Sequence, residues 1–154
     1  LSVLYTNDRD KIVNFRARPQ IREGPRLISG TVAADSYTNA NAELATVWGR
    51  FSTQSEAFIS NINRITGDSV NVYGAYVQSS FFLTGENRNF ERFGQHGAQF
   101  ARATPYNNVF AVPGALSLGG WEVKARWSYL DLSNIPGTGV GRPSAGQYND
   151  MTLG

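Results

Sequence analysis

The 154-residue chain has no cysteine, one histidine, one methionine and two lysines, Lys11 and Lys124, against twelve arginines. Without cysteine there is no disulfide framework, no thiolate nucleophile and no cysteine-bearing metal knuckle. His96 alone stands for imidazole chemistry, so a triad or metal site has too few members, and a surface histidine is the plainer reading. No apolar run is long enough for a membrane-spanning helix, and mean hydropathy is slightly negative at −0.32. A helical membrane protein is thereby excluded. A transmembrane barrel is not, because its strands alternate lipid-facing and lumen-facing residues and average to an ordinary composition. Zinc spacings, RNP-like boxes and recognition-helix patterns are also missing. With a net charge of only +2, nucleic acid is the weakest of the partners these basic residues could serve. Gly137-Thr138-Gly139-Val140-Gly141 has the composition of a phosphate loop without the strand-to-helix context one needs, and reads as a flexible outer loop. Asp8, Asp10 and Asp68 read as turn residues. No enzyme and no cofactor is expected.

What is present is alternation of period two. From Gly119 to Asp131, Trp121, Val123, Ala125, Trp127 and Tyr129 fall on one face and Glu122, Lys124, Arg126 and Ser128 on the other. Asn71 to Leu83 repeats this, with Tyr73, Ala75, Val77, Phe81 and Leu83 opposed to Gly74, Tyr76, Gln78 and Ser80. Ala40 to Trp48 and Phe51 to Ile62 alternate more softly and are separated by a tight turn at Gly49-Arg50. In the first of these Leu44, Thr46 and Trp48 oppose Glu43, Ala45 and Val47; in the second Thr53, Ala57 and Ile59 oppose Gln54, Glu56 and Ser60. Upstream, Ile12 to Arg22 sets Phe15, Ala17 and Ile21 against Arg16, Arg18, Gln20 and Arg22. With Leu1 to Thr6 and a strand beginning near Asp150, about seven consecutive strands are expected.

The connections alternate in length. Short links at Asn7 to Lys11 and at Gly49-Arg50 contrast with longer ones at Glu23 to Asn39, Ile62 to Val70 and Ser133 to Asn149. Short turns on one rim and long loops on the other are the rhythm of an outer-membrane barrel. Thr84 to Leu116 breaks it: strand parity puts this stretch on the short-turn rim, yet it is the longest irregular segment, so it either folds back toward the lumen or contains a further element. Both ends read as cut, since Leu1 follows no leader-like segment and Leu153-Gly154 falls in a strand.

Several stretches resemble the phosphate-selective porin O and P family: Phe15-Arg16-Ala17-Arg18-Pro19, Gly74-Ala75-Tyr76-Val77-Gln78 leading into Phe82-Leu83-Thr84-Gly85-Glu86, Trp121 through Leu132, and the closing Asn149-Asp150-Met151-Thr152-Leu153-Gly154. They keep family order and cover most of the chain. The resemblance implies an all-β antiparallel transmembrane barrel of sixteen strands in the bacterial outer membrane, usually a homotrimer, whose arginine-lined lumen passes phosphate, polyphosphate or similar anions. Residues 1–154 would be a partial barrel domain from its C-terminal half. The segment Gln95 to Phe100 departs from the family pattern, and the family's constriction loop belongs to the N-terminal half.

On this reading Arg16, Arg18, Arg22, Lys124 and Arg126 are candidates for the anion path, because guanidinium groups in a wet lumen offer an oxyanion successive bidentate sites. The plainer alternative is that Arg16, Arg18 and Arg22 pair with wall carboxylates such as Glu43 and that Glu122 and Lys124 bond to neighbouring strands, which leaves Arg126 the better candidate for anion contact. Pro19 suggests a bulge or rim, past which the face of Arg22 could flip. Trp48, Tyr73, Phe81, Trp121, Trp127 and Tyr129 are expected to face lipid. The competing class is a soluble β-sandwich binding carbohydrate or protein, whose inner faces alternate identically.

Overall fold

The computed structural model describes residues 1–17, 27–94, 97–106, 119–136 and 145–154. These residues form eight strands and no helix: β1 Ser2–Ala17, β2 Ile28–Trp48, β3 Phe51–Arg64, β4 Val70–Phe82, β5 Phe90–Gly94, β6 Gly97–Phe100, β7 Glu122–Asp131 and β8 Gln147–Leu153. Six of them make one sheet in the order β1-β2-β3-β4-β7-β8, each beside its neighbour in sequence, while β5 and β6 pair as a separate two-stranded sheet. Sequential pairing follows from connections that either turn tightly or return to the same edge. A sandwich would instead need a second sheet over the aromatic face; among the described residues the other sheet is only the β5–β6 hairpin.

Three expectations are corrected. Asn7 to Lys11 is not a turn: β1 runs through it, and the two segments foreseen on either side are one strand. The register with β2 shifts there, from Asn7↔Ser36 to Lys11↔Ala34, which marks a bulge rather than a reversal. The loop foreseen over Glu23 to Asn39 is strand from Ile28 onward. Finally, Thr84 to Leu116 contains the β5–β6 hairpin, so the count is six meander strands plus two rather than seven in a row.

The chain divides into two compact units through which the long strands run: Leu1–Glu43, Ser55–Val77 and Trp127–Thr152 form the first, and Leu44–Gln54, Gln78–Arg126 and Leu153–Gly154 the second. The first holds an apolar cluster of Val32, Ala34, Ile62, Val70, Val72, Leu132 and Ile135, with Val13, Phe15, Tyr37 and Phe58 packed against it. Ile62, Val72, Leu132 and Ile135 are completely buried, each contributing about 1.5–3 kcal/mol relative to exposure. The chain after β7 reaches this cluster through a short backbone network: Leu132 N–H donates to Gly146, Ile135 N–H to Leu132, and Ala145 N–H to Ile135, each at 2.9 Å. Glycine is required where it lies against β2, because a Cβ on Gly30 would sit 2.8 Å from Ile135 Cγ2. A Cβ on Gly74 would sit 2.2 Å from the Phe58 ring, so that ring lies directly over the β4 backbone.

The face alternation in β2 slips once. Ala34 and Tyr37 both pack on the cluster although three residues apart, which a regular strand forbids, and the slip lies opposite the irregularity in β1. Beyond it the cluster gives way to a polar ladder, in which Ser60 donates to Asn39 at 2.8 Å and Asn41 donates to Glu56 at 2.9 Å and to Glu43 at 3.1 Å. The other face of this unit exposes Ile59, Tyr73, Val77, Trp127 and Met151.

Candidate functional site

In the second unit the strands segregate chemistry by parity. Phe51, Phe81, Leu83, Trp121 and Val123 are exposed on one face. Ser52, Ser80, Gln78, Glu122, Lys124 and Arg126 occupy the alternate positions. Gly49, with φ of +56°, permits the tight reversal that sets β2 beside β3 in this register.

Glu122 is the centre of the polar face. Arg88, from the segment after β4, grips it with two bonds, Nε to Oε1 at 2.9 Å and Nη2 to Oε2 at 2.7 Å, and Lys124 Nζ approaches Oε2 at 3.0 Å. A fork-to-fork pair of this kind is both strong and directional. Two cations around one carboxylate leave the cluster with net positive charge. The Arg88 guanidinium also lies 5.9 Å from the centre of the Phe82 ring, a cation–π contact. Alongside, Arg126 Nη1 donates to Gln78 Oε1 at 3.2 Å, and the buried hydroxyls of Ser52 and Ser80 bond at 2.7 Å.

The β5–β6 hairpin belongs to the same site. Phe90 and Phe100 meet edge to face with ring centres 5.3 Å apart, and Phe100 joins Ser52, Gln54, Gln78, Ser80 and Arg88 around a small polar hollow over β3 and β4. The insertion is held at its root. Leu83 N–H donates to Trp121 O at 2.9 Å, Phe82 N–H to Arg50 O at 3.1 Å, and Trp121 N–H to the Thr84 hydroxyl at 2.9 Å. Glu86 is buried there; the Thr84 hydroxyl donates to its Oε2 and Tyr106 N–H to its Oε1 at 3.2 Å. The Thr84 bond, with backbone donors and the charge of Arg50, holds its carboxyl below the ordinary value of 4.5, against the opposing effect of burial.

The candidate residues separate accordingly. Lys124 and Arg126 stand on one face of β7, joined by Arg88, which alternation does not pick out: its segment has none, and its one signal in the sequence is that Glu122 needs a partner. Glu122 and Lys124 pair with each other along β7. Glu43 accepts a hydrogen bond from Asn41. Arg16 pairs in register with Ser29 and lies on the face of β1 opposite Phe15 and Val13, which pack on the apolar cluster. Arg18 and Arg22 lie outside the described residues, as does His96. Of the aromatics, Trp48, Tyr73, Phe81, Trp121 and Trp127 are exposed, from 87% for Trp48 to 40% for Tyr73. Tyr129 is half-buried, stacked on Trp127 at 6.1 Å with its hydroxyl donating to Asp131 at 3.1 Å.

Sequential antiparallel strands with an exposed aromatic face and a charged face build a wall of the kind found in outer-membrane β-barrels. The chain belongs to the phosphate-selective porin O and P family, whose model matches residues 6–153. It is also similar to an uncharacterized protein of Caulobacter vibrioides, 27% identical over 127 residues that cover 81% of this chain and 24% of that protein. The chain thus spans about a quarter of the length of that relative. No solved structure matches it. Family membership implies an outer-membrane protein of the porin class.

Proposed function

We propose that this chain forms part of the wall of a trimeric outer-membrane diffusion channel through which phosphate, polyphosphate or similar inorganic anions pass. The observation that carries the reading is the division of β7, where Trp121, Val123 and Trp127 are exposed on one face while Glu122, Lys124 and Arg126 share the other. The aromatic face meets lipid, and Trp127, which also donates from Nε1 to Asn149 at 2.7 Å, has the amphipathic ring suited to a membrane boundary. Lys124, Arg126 and Arg88 line the path in a barrel of sixteen strands. Arg18 and Arg22 stay candidates for the anion path.

The test is a planar-bilayer recording of the complete protein in asymmetric potassium chloride. An anion-selective reversal potential is expected, reduced a few-fold in permeability ratio by Lys124→Gln with Arg126→Gln, because lumen charges tune selectivity. A cation-selective pore, or no pore, would sink the proposal.

A further inference from the structure

A cavity of about 310 Å³ opens beside the Glu122 cluster, lined by Phe82, Arg88, Arg102, Ala103, Pro105, Gly120 and Glu122. Its size is at the lower end of what small-molecule sites occupy. Its chemistry is divided. Phe82, Ala103 and Pro105 offer apolar surface, Gly120 leaves open backbone, and the charged groups are two guanidiniums and one carboxylate. Glu122 is already neutralised by Arg88 and Lys124, so it does not set the sign of the site. Arg102 is exposed and, among the described residues, has no ion-pair partner, which leaves its fork of donors facing whatever enters.

A fully hydrated phosphate dianion needs donors on several sides and gains nothing from an apolar wall. A carboxylate attached to a ring or short hydrocarbon body fits better: its two oxygens match one guanidinium, and its apolar part leaves water against Phe82, Ala103 and Pro105. We propose that this cavity is a binding subsite for small organic carboxylates with an apolar body, anchored by Arg102. The inference rests on the channel reading for its place in transport, but not for binding itself.

Two measurements on the complete protein separate these. Calorimetric titration in detergent with benzoate and with acetate reads the subsite; reversal potentials in asymmetric potassium chloride read the channel. Benzoate is expected to bind at least fivefold more tightly than acetate and to reduce current at correspondingly lower concentration. Arg102→Gln should weaken benzoate fivefold or more, and Ala103→Asp, which places a carboxylate in the cavity, should abolish its binding while both variants fold and assemble as the parent does. Equal affinities for benzoate and acetate, or benzoate binding untouched by both substitutions, would overturn the subsite. A protein that binds benzoate in this pattern without conducting anions would keep the subsite and refute the channel.

Discussion

Replacing Glu122 by Gln removes one negative charge from the polar face and releases two cations at once, since Arg88 and Lys124 both spend their charge on that carboxylate. The side chain keeps its size and can still accept a bond from Arg88, so the change is mainly electrostatic. A unit charge about 6 Å from a passing ion is worth roughly 0.7 kcal/mol in water and twice that at half the dielectric constant. Screening over about 10 Å at 0.1 M salt reduces this by nearly half. The anion-to-cation permeability ratio should therefore rise roughly two- to fourfold at 0.1 M and change little at 1 M, where the screening length is about 3 Å. Loss of the forked pair should destabilise the insertion by about 1 kcal/mol, as for a pair that is only partly shielded. Reversal potentials at the two salt concentrations measure the first effect. An unchanged ratio at low salt, or a shift toward cations, would show that Glu122 does not face the permeating ions.

Three other substitutions test the remaining architecture. Gly74→Ala should cost about 1–3 kcal/mol through overpacking against Phe58, and much of that should return in the double variant with Phe58→Ala; strictly additive losses in denaturant unfolding would refute the contact. Trp127→Arg should impair membrane assembly more than Arg126→Gln, because a cation on the lipid face costs up to about 1 kcal/mol near the boundary and more deeper in, whereas a lumen substitution costs little; equal assembly would contradict the two faces of β7. Glu86 has a carboxyl held below 4.5, so its contribution to anchoring the insertion is present above that pH and is lost as pH falls through the lowered value. Acidification should then increase protease cleavage within 84–106 in the parent, while Glu86→Gln should be sensitive at all pH values; identical pH profiles would remove Glu86 from the anchor.

The strands legible in the sequence are those whose two faces meet different surroundings along their whole length. β4 and β7 carry tyrosine, phenylalanine and tryptophan at alternate positions against Gln78, Glu122, Lys124 and Arg126, and both formed where alternation placed them. The first half of β2 is not legible as a strand because its exposed positions, Ser29, Thr31 and Ala33, are as polar or small as a loop, while its buried positions, Gly30, Val32 and Ala34, are too small to raise the signal. Alternation sets Phe15 opposite Arg16 but does not say what either face meets, and here Val13 and Phe15 pack on an apolar cluster. The site was half legible for a different reason: Lys124 and Arg126 come from a regular strand, whereas Arg88 and Arg102 come from a segment whose position is set by contacts at its root and not by periodicity.

The hydrogen bond from Leu83 to Trp121 lies at a seam: β4 and β7 are neighbours in the sheet although 39 residues separate Phe82 from Glu122. Among the described residues, the insertion between those strands meets the sheet at this root through Thr84 and Glu86 and again through the Arg88–Glu122 pair. Such a root is where a wall protein can acquire new specificity at little risk to its own folding, since a graft there is judged by what it binds and not by whether the sheet still forms.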